Sequence, residues 1–434
     1  MNTQSVVDSL LRTFAITLVL AAPIALGQTV ISENAPEAQG EAASATAQVV
    51  VQDDTPDYAR ELPSAHVTSS HEILAYNRAI KEAESREGAY GSSLSETMLG
   101  LAQTLQAQGR HEEAIKHYKR GIHLARINEG LYCQQQIPML QGEIASHKAM
   151  QNYAEADERQ NYLYRVQSTA FDSSAALVAA LMDQAKWQYE AYQLRLGEND
   201  YERLINMWEL YRVAFSDVVT REGETSPSLL APLHGMLQAQ YLISSYEIPA
   251  STPVFDEDGY VDEGLLRFKA YYHQSYKQGN AVIEAISAIK KENNASDRAS
   301  DAQALVMLGD WRLWNGKTDA ALTAYREATR ELASEAGAKE QAQRLFGEPV
   351  ALPDIAGLQL LPPVVAPNEA AVTVAFGVNE YGRVRDLQRL DDNEADDRQA
   401  YRLMRKLRKA TFRPRFEAGQ PVETQNIVKA FDIQ

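Results

Sequence analysis

Cysteine is nearly absent: Cys133 is the only one in 434 residues. It can form neither an internal disulfide nor a multi-thiolate metal site. Cations are outnumbered as well, 42 Lys and Arg against 59 Asp and Glu, for a formal charge of −17. Non-specific affinity for nucleic acid comes mostly from Lys and Arg, so this balance disfavours DNA or RNA as a partner. No G-x-G-x-x-G, G-x-S-x-G or C-x-x-C string occurs, and the eight His are scattered. The usual signatures of dinucleotide, hydrolase and thiol-redox chemistry are therefore missing. Apolar content is ordinary at 45%, and the length predicts two or three domains with buried cores. The negative charge is unevenly spread. From Pro362 onward 12 Lys and Arg meet 11 Asp and Glu, leaving about −18 on the preceding 361 residues.

The apolar run Phe14 to Leu26 has 13 residues, follows Arg12, and ends in Ala25-Leu26-Gly27 ahead of Gln28. A spanning helix needs roughly 20 apolar residues, and this run contains Pro23. The pattern is that of a cleavable secretory signal over residues 1–27. Export with one thiol points to a periplasm and to stability from a large hydrophobic core. Cys133 reads as a small residue packed on a helix. Residues 28–69 are rich in Ala, Glu, Gln and Ser with almost no aromatic side chain, and read as a disordered tether.

A repeat follows. Tyr76, Arg78, Ile80, Ala83, Glu87, Gly88 and Tyr90 recur 42 residues later as Tyr118, Arg120, Ile122, Ala125, Glu129, Gly130 and Tyr132. The period continues weakly in Gly100 and Gly142, and Arg221-Glu222-Gly223 marks a further degraded copy. Apolar residues step by three and four in each unit: Met98, Leu101, Ala102 and Leu105, then Ala114, Ile115, Tyr118 and Ile122 beyond Gly109. That spacing predicts two helices joined by a turn. Between about 173 and 293 the period blurs, although helices are predicted over 175–196, 201–218 and 265–289. A helix pair cannot bury its own face, so residues 70–345 are expected to stack as one α-solenoid. Ala102, Gly109, Ala114, Tyr118 and Gly121, and again Leu305, Leu308, Gly309, Gly316, Ala321, Tyr325 and Ala328, resemble the tetratricopeptide repeat (TPR) family. The resemblance implies a protein-interaction module that takes a peptide or helix on its concave face.

Three strings imitate catalytic or metal motifs. His111-Glu112-Glu113-Ala114-Ile115 lacks the second His of a zinc-protease helix, and His117 lies on another face. Gly316-Lys317-Thr318 follows Gly309 by too many residues for a phosphate loop and is preceded by a helix pattern. Asp256 to Asp262 lacks two of the oxygens of a calcium loop. No catalytic, cofactor-binding or metal-ligating residue is predicted, and no cofactor; the chain reads as a non-enzyme.

From Phe346 to Pro367 five prolines mark a linker over 346–369. Alternation then replaces the three-and-four step. Val372, Val374, Phe376 and Val378 predict a strand, Asn379 to Gly382 a turn, and Val384 to Leu390 the return. A helix is expected around Ala400, Leu403, Met404, Leu407 and Ala410. Its basic end, Arg405, Lys406, Arg408 and Lys409, suits the helix dipole. Phe412 to Phe416 and Gln425 to Ile433 complete a small α+β module over 370–434, so the fold class is mainly α with a β-β-α-β tail. Val372-x-Val374-x-Phe376-x-Val378, Gly382-Arg383-Val384, Phe412-Arg413-Pro414 and Gly419-x-Pro421-Val422 resemble the C-terminal domain of the TonB family. That resemblance implies binding to a strand of an envelope protein by strand addition. The expectation is a periplasmic adaptor without nucleic-acid or direct membrane contact. The alternative is a TonB-type energy transducer for outer-membrane transport that retains residues 6–26 as an anchor.

Overall fold

The computed structural model describes residues 64–434 apart from 198, 249–261, 294–297, 334–337, 367–371, 392–396 and 434. The signal and almost all of the tether lie outside these residues. Among the described residues the chain is mainly helical, and it divides into two compact units with the boundary between Asn152 and Tyr153. The sequence does not mark this division within the span read as one solenoid.

The first unit holds α1 (Ser64–Glu87), α2 (Leu94–Ala107), α3 (His111–Glu129) and α4 (Gln136–Ala149), each packed on the next. The apolar steps read from the sequence become its core: Met98, Leu101, Ala102 and Leu105 of α2 and Ala114, Tyr118, Ile122 and Ala125 of α3 are all buried. The 42-residue repeat is a repeat of packing. Tyr76 lies against Gly100, and 42 residues on Tyr118 lies against Gly142, where an added methyl would stand 2.3 Å from the ring. Glycine is required because the aromatic ring of one helix sits directly on the backbone of another.

The second unit begins with α5 (Tyr153–Ala170), α6 (Ala175–Gln193), α7 (Asp200–Glu222), α8 (Leu230–Ser245), α9 (Glu263–Asn293), α10 (Arg298–Trp314), α11 (Thr318–Ala333) and α12 (Ala338–Phe346). The degraded copy is genuine. Tyr211 lies on Gly235 at the same 24-residue separation as the other two pairs. Gly88, Gly130 and Gly223 end α1, α3 and α7 with positive φ of 82°, 107° and 88°, each N–H closing on the carbonyl four residues back. That cap needs a residue tolerant of left-handed φ, which keeps the glycine through sequence drift. The turn that follows also repeats: Gly91, Cys133 and Ser226 each donate to the carbonyl of the capping glycine. Cys133 is thus a half-buried turn residue whose thiol packs on α3 at the Ala125 carbonyl.

The rest of the unit carries β1 (Val350–Ala351), β2 (Val364–Val365), β3 (Val372–Val378), β4 (Val384–Arg389), α13 (Asp397–Lys409), β5 (Phe412–Arg413), β6 (Arg415–Glu417), β7 (Gln420–Val422) and β8 (Thr424–Phe431). Four of these form an antiparallel sheet in the order β2-β8-β3-β4. Val372, Val374, Phe376 and Val378 project from one face of β3 onto Ala400, Leu403 and Leu407 of α13, with Phe412 and Phe431 closing the core. The alternation read from sequence is the inward face of this strand. The segment read as a linker is packed. Phe346 and Leu352 join the α10–α11 core, Leu358 joins the core of α7–α9, and β1 and β2 pair with β5 and β8. Its prolines limit helix and strand length, and the apolar residues between them supply the burial.

Candidate functional site

Two features of the second unit stand apart from ordinary core. One is an apolar cleft of about 510 Å³ between α12, the strap 348–364 and the sheet face that also carries α13. The sheet side consists of Phe376, Ile427 and Phe431, joined by Phe412. The strap side includes Leu352, Leu358 and Leu361, and the charged members are Arg344, Glu348 and Lys429. Ile427, Lys429 and Phe431 alternate along β8 and so share this face, opposite Phe376, Val374 and Val372 in the β3 register.

The cleft borders an unfilled strand edge. Beyond β8, β2 covers only Ala430 and Phe431. Among the described residues no strand pairs with the outer edge of Gln425 to Lys429. Such an edge presents backbone N–H and C=O groups that another strand can satisfy. The opposite edge, β4, is guarded. Its register slips between Ala375 and Gly377, Asp386 takes a φ of 48°, and Arg385 and Asp386 are exposed. A bulge with charged side chains discourages pairing, and of the two edges β8 has the longer regular stretch. β8 has its own irregularity at Asn426, where φ is 55°, and pairs regularly with β3 from Ile427 to Phe431.

The second feature is a buried charge cluster that fixes the sheet to the helices. Arg413 of β5 is fully buried and donates to Asp310 of α10 at 2.9 Å and to Asp354 of the strap at 2.7 Å. Tyr325 of α11 donates to the other oxygen of Asp310 at 2.7 Å. Burial pushes the Asp310 carboxyl up to about 6, against the opposing pull of Arg413 and Tyr325. Burial also raises the Tyr325 hydroxyl well above its ordinary value, and the Asp310 charge adds to it. For Arg413 burial works against the charge, but the two carboxylates outweigh it and hold the guanidinium above its usual range. Around the cluster Phe416 stacks edge-on against Tyr325 and beside Phe346. At neutral pH the cluster is an ionic bolt that joins β5, α10 and the strap within one unit.

The imitated motifs fall elsewhere. His111 and His117 sit on α3 of the first unit, where burial lowers the His117 imidazole pKa. Gly316 makes the turn between α10 and α11 with φ 73°, and the Lys317 ammonium lies over the Tyr276 ring at 6.0 Å. Of the acidic loop only Asp262 is described. It accepts from the Leu265 N–H at 2.8 Å, capping α9, and from the Tyr201 hydroxyl. Among the described residues no cluster of three His, Cys, Asp or Glu could hold a metal ion. No helix there is long and apolar enough to cross a membrane.

The cleft and Arg413 were missed by sequence reasoning. Arg413 carried a signal: an arginine between Phe412 and Pro414, in a strand otherwise facing inward, requires a buried acid. Nothing local identified Asp310, 103 residues away, as that acid.

No protein-family model matches the chain, and no curated protein matches it. Solved structures similar to it include BtubC (BKLC) from P. vanneervenii, at 16% identity over 64% of this chain and 92% of that one, with a TM-score of 0.35. Another is a Podosopora anserina putative kinesin light chain with nearly identical TPR-like repeats, at 15% identity over 56% and 96%, with a TM-score of 0.36. The TPR-like description of this chain rests on its own geometry: paired helices, glycine-ended long helices, and an aromatic side chain seated on a glycine in each copy.

Proposed function

We propose that the chain is a protein-interaction adaptor that captures an extended segment of an envelope protein on β8 while its helical repeats engage a second protein. The observation that carries the reading is the open edge of β8 beside an apolar cleft. A strand added there would satisfy the outer backbone groups of 425–429 and place alternate side chains next to Ile427 and Lys429 on the cleft side of β8. The TonB-like motifs of β3, β4 and the Phe412-Arg413-Pro414 segment support strand addition as the mode. Four to six added backbone hydrogen bonds at about 1 kcal/mol each give roughly 4–6 kcal/mol, or affinities from about millimolar to tens of micromolar. Strand capture alone would be transient, and a second contact through the repeats would supply avidity.

The periplasmic setting rests on the signal pattern of residues 1–27 and is checked by sequencing the mature N-terminus. A start at Gln28 supports the adaptor; retention of residues 6–26 would return the transducer reading. Strand addition is tested by titrating the full chain with a synthetic peptide of alternating Val and Thr and with its backbone N-methylated form. Methylation removes the strand hydrogen bonds and should abolish binding. Equal affinity for both peptides would refute the mode.

A further inference from the structure

Helix α13 carries six cations, all exposed: Arg398, Arg402, Arg405, Lys406, Arg408 and Lys409. Arg398, Arg402, Arg405 and Lys409 fall at i, i+4, i+7 and i+11, so they form one stripe about 16 Å long. The opposite side, Ala400, Leu403 and Leu407, is buried on the sheet. The helix dipole accounts for Lys406, Arg408 and Lys409 in the last turn. It does not account for Arg402 or Arg405, and it opposes Arg398 near the N-terminus. Like charges three and four residues apart destabilise a helix, and Arg398/Arg402, Arg402/Arg405, Arg402/Lys406 and Arg405/Lys409 are such pairs.

Among the described residues, neutralisation of the helix's cations is confined to one end. Lys409 pairs with Glu247 at 2.8 Å, and Arg405 adds to the field on that carboxylate. Asp397, the acid in the first turn, is held by Arg389 at 2.6 Å. Among the described residues Arg398, Arg402, Lys406 and Arg408 have no ion-pair partner, in a chain whose net charge is −17. The stripe persists at a cost to its own helix and with ample acid elsewhere in the sequence to quench it.

We propose that the outer stripe of α13 docks an acidic segment of a partner protein, its carboxylates spaced to meet Arg398, Arg402 and Arg405. A line of charges matches a linear occupant, and guanidinium forks take carboxylates two oxygens at a time. An anionic bilayer would repel the rest of this acidic chain. None of the stripe residues lines the cleft beside β8, so this is a second surface and stands whether or not strand addition occurs.

The test uses the full chain and a fluorescein-labelled peptide with Glu at i, i+4, i+7 and i+11, read by anisotropy at low and high salt. Wild type should bind the Glu peptide and not its Gln counterpart, with affinity falling as salt rises. The variant Arg398→Gln/Arg402→Gln/Arg405→Gln should bind at least about tenfold more weakly and melt no lower than wild type, since like charges have been removed. Should that variant fail to fold, Arg398→Gln alone, in the exposed first turn, should still weaken binding measurably. Undiminished binding by these variants would overturn the proposal. So would cation-dependent capture by phosphatidylglycerol vesicles without binding to the Glu peptide, which would make the partner a membrane.

Discussion

Arg413 is the residue on which the second unit turns, because it meets acids 103 and 59 positions away in sequence. Removing one member of a buried pair leaves the other without compensation, which costs about 3–5 kcal/mol. Arg413→Met should therefore destabilise the chain by that amount in urea unfolding. Asp310 gives the site a pH signature. Its folded pKa is raised from 3.8 to about 6, so between these values the folded state holds a proton that the unfolded chain has lost. The contribution of the site is greatest below about pH 4, falls as pH climbs to about 6, and is flat above. A rise of this size corresponds to about 3 kcal/mol. Asp310→Asn should remove that slope from a series of urea midpoints taken between pH 4 and 7. Gly142 offers a steric test of the repeat. A methyl there meets the Tyr118 ring at 2.3 Å, so Gly142→Ala should cost about 1–3 kcal/mol by overpacking, visible as a lowered melting temperature of the first unit.

Among the elements, those with a local period were legible. The three-and-four step located the helices of 175–196, 201–218 and 265–289 to within a few residues of α6, α7 and α9. The two-residue step located β3, whose bounds match, and β4, which ends one residue earlier. The strap was not legible. Its proline content reads as linker, while its short strands pair with residues some 60 positions later, and no local pattern encodes a distant partner. The cleft shares that origin, being walled by the strap on one side and by β8 on the other. Packing of the strap makes the sheet and α7–α12 mutually dependent. Phe376→Ala should cost about 3–5 kcal/mol, with the far-UV sheet signal and the fluorescence of Trp311 and Trp314 lost in one transition. Loss of the sheet signal ahead of the tryptophan signal would contradict that dependence.

At the scale of the whole molecule, the acid surplus belongs to the residues before Pro362, and the near-neutral tail carries half of its 12 cations on α13. A division of the chain for experiment follows its compact units. Residues 153–434 produced alone should retain their helix and sheet content by circular dichroism. A chain ending at 345 should not, because it strips Arg413 from Asp310 and removes Phe416 from Tyr325. The adaptor role depends on one edge of one sheet, and hydrogen exchange reads that edge directly. With the alternating Val and Thr peptide bound to the full chain, amides of 425–429 should exchange more slowly while those of 385–389 on β4 stay unchanged. Unaltered exchange at 425–429 in the presence of saturating peptide, or protection on β4 instead, would contradict strand capture by β8.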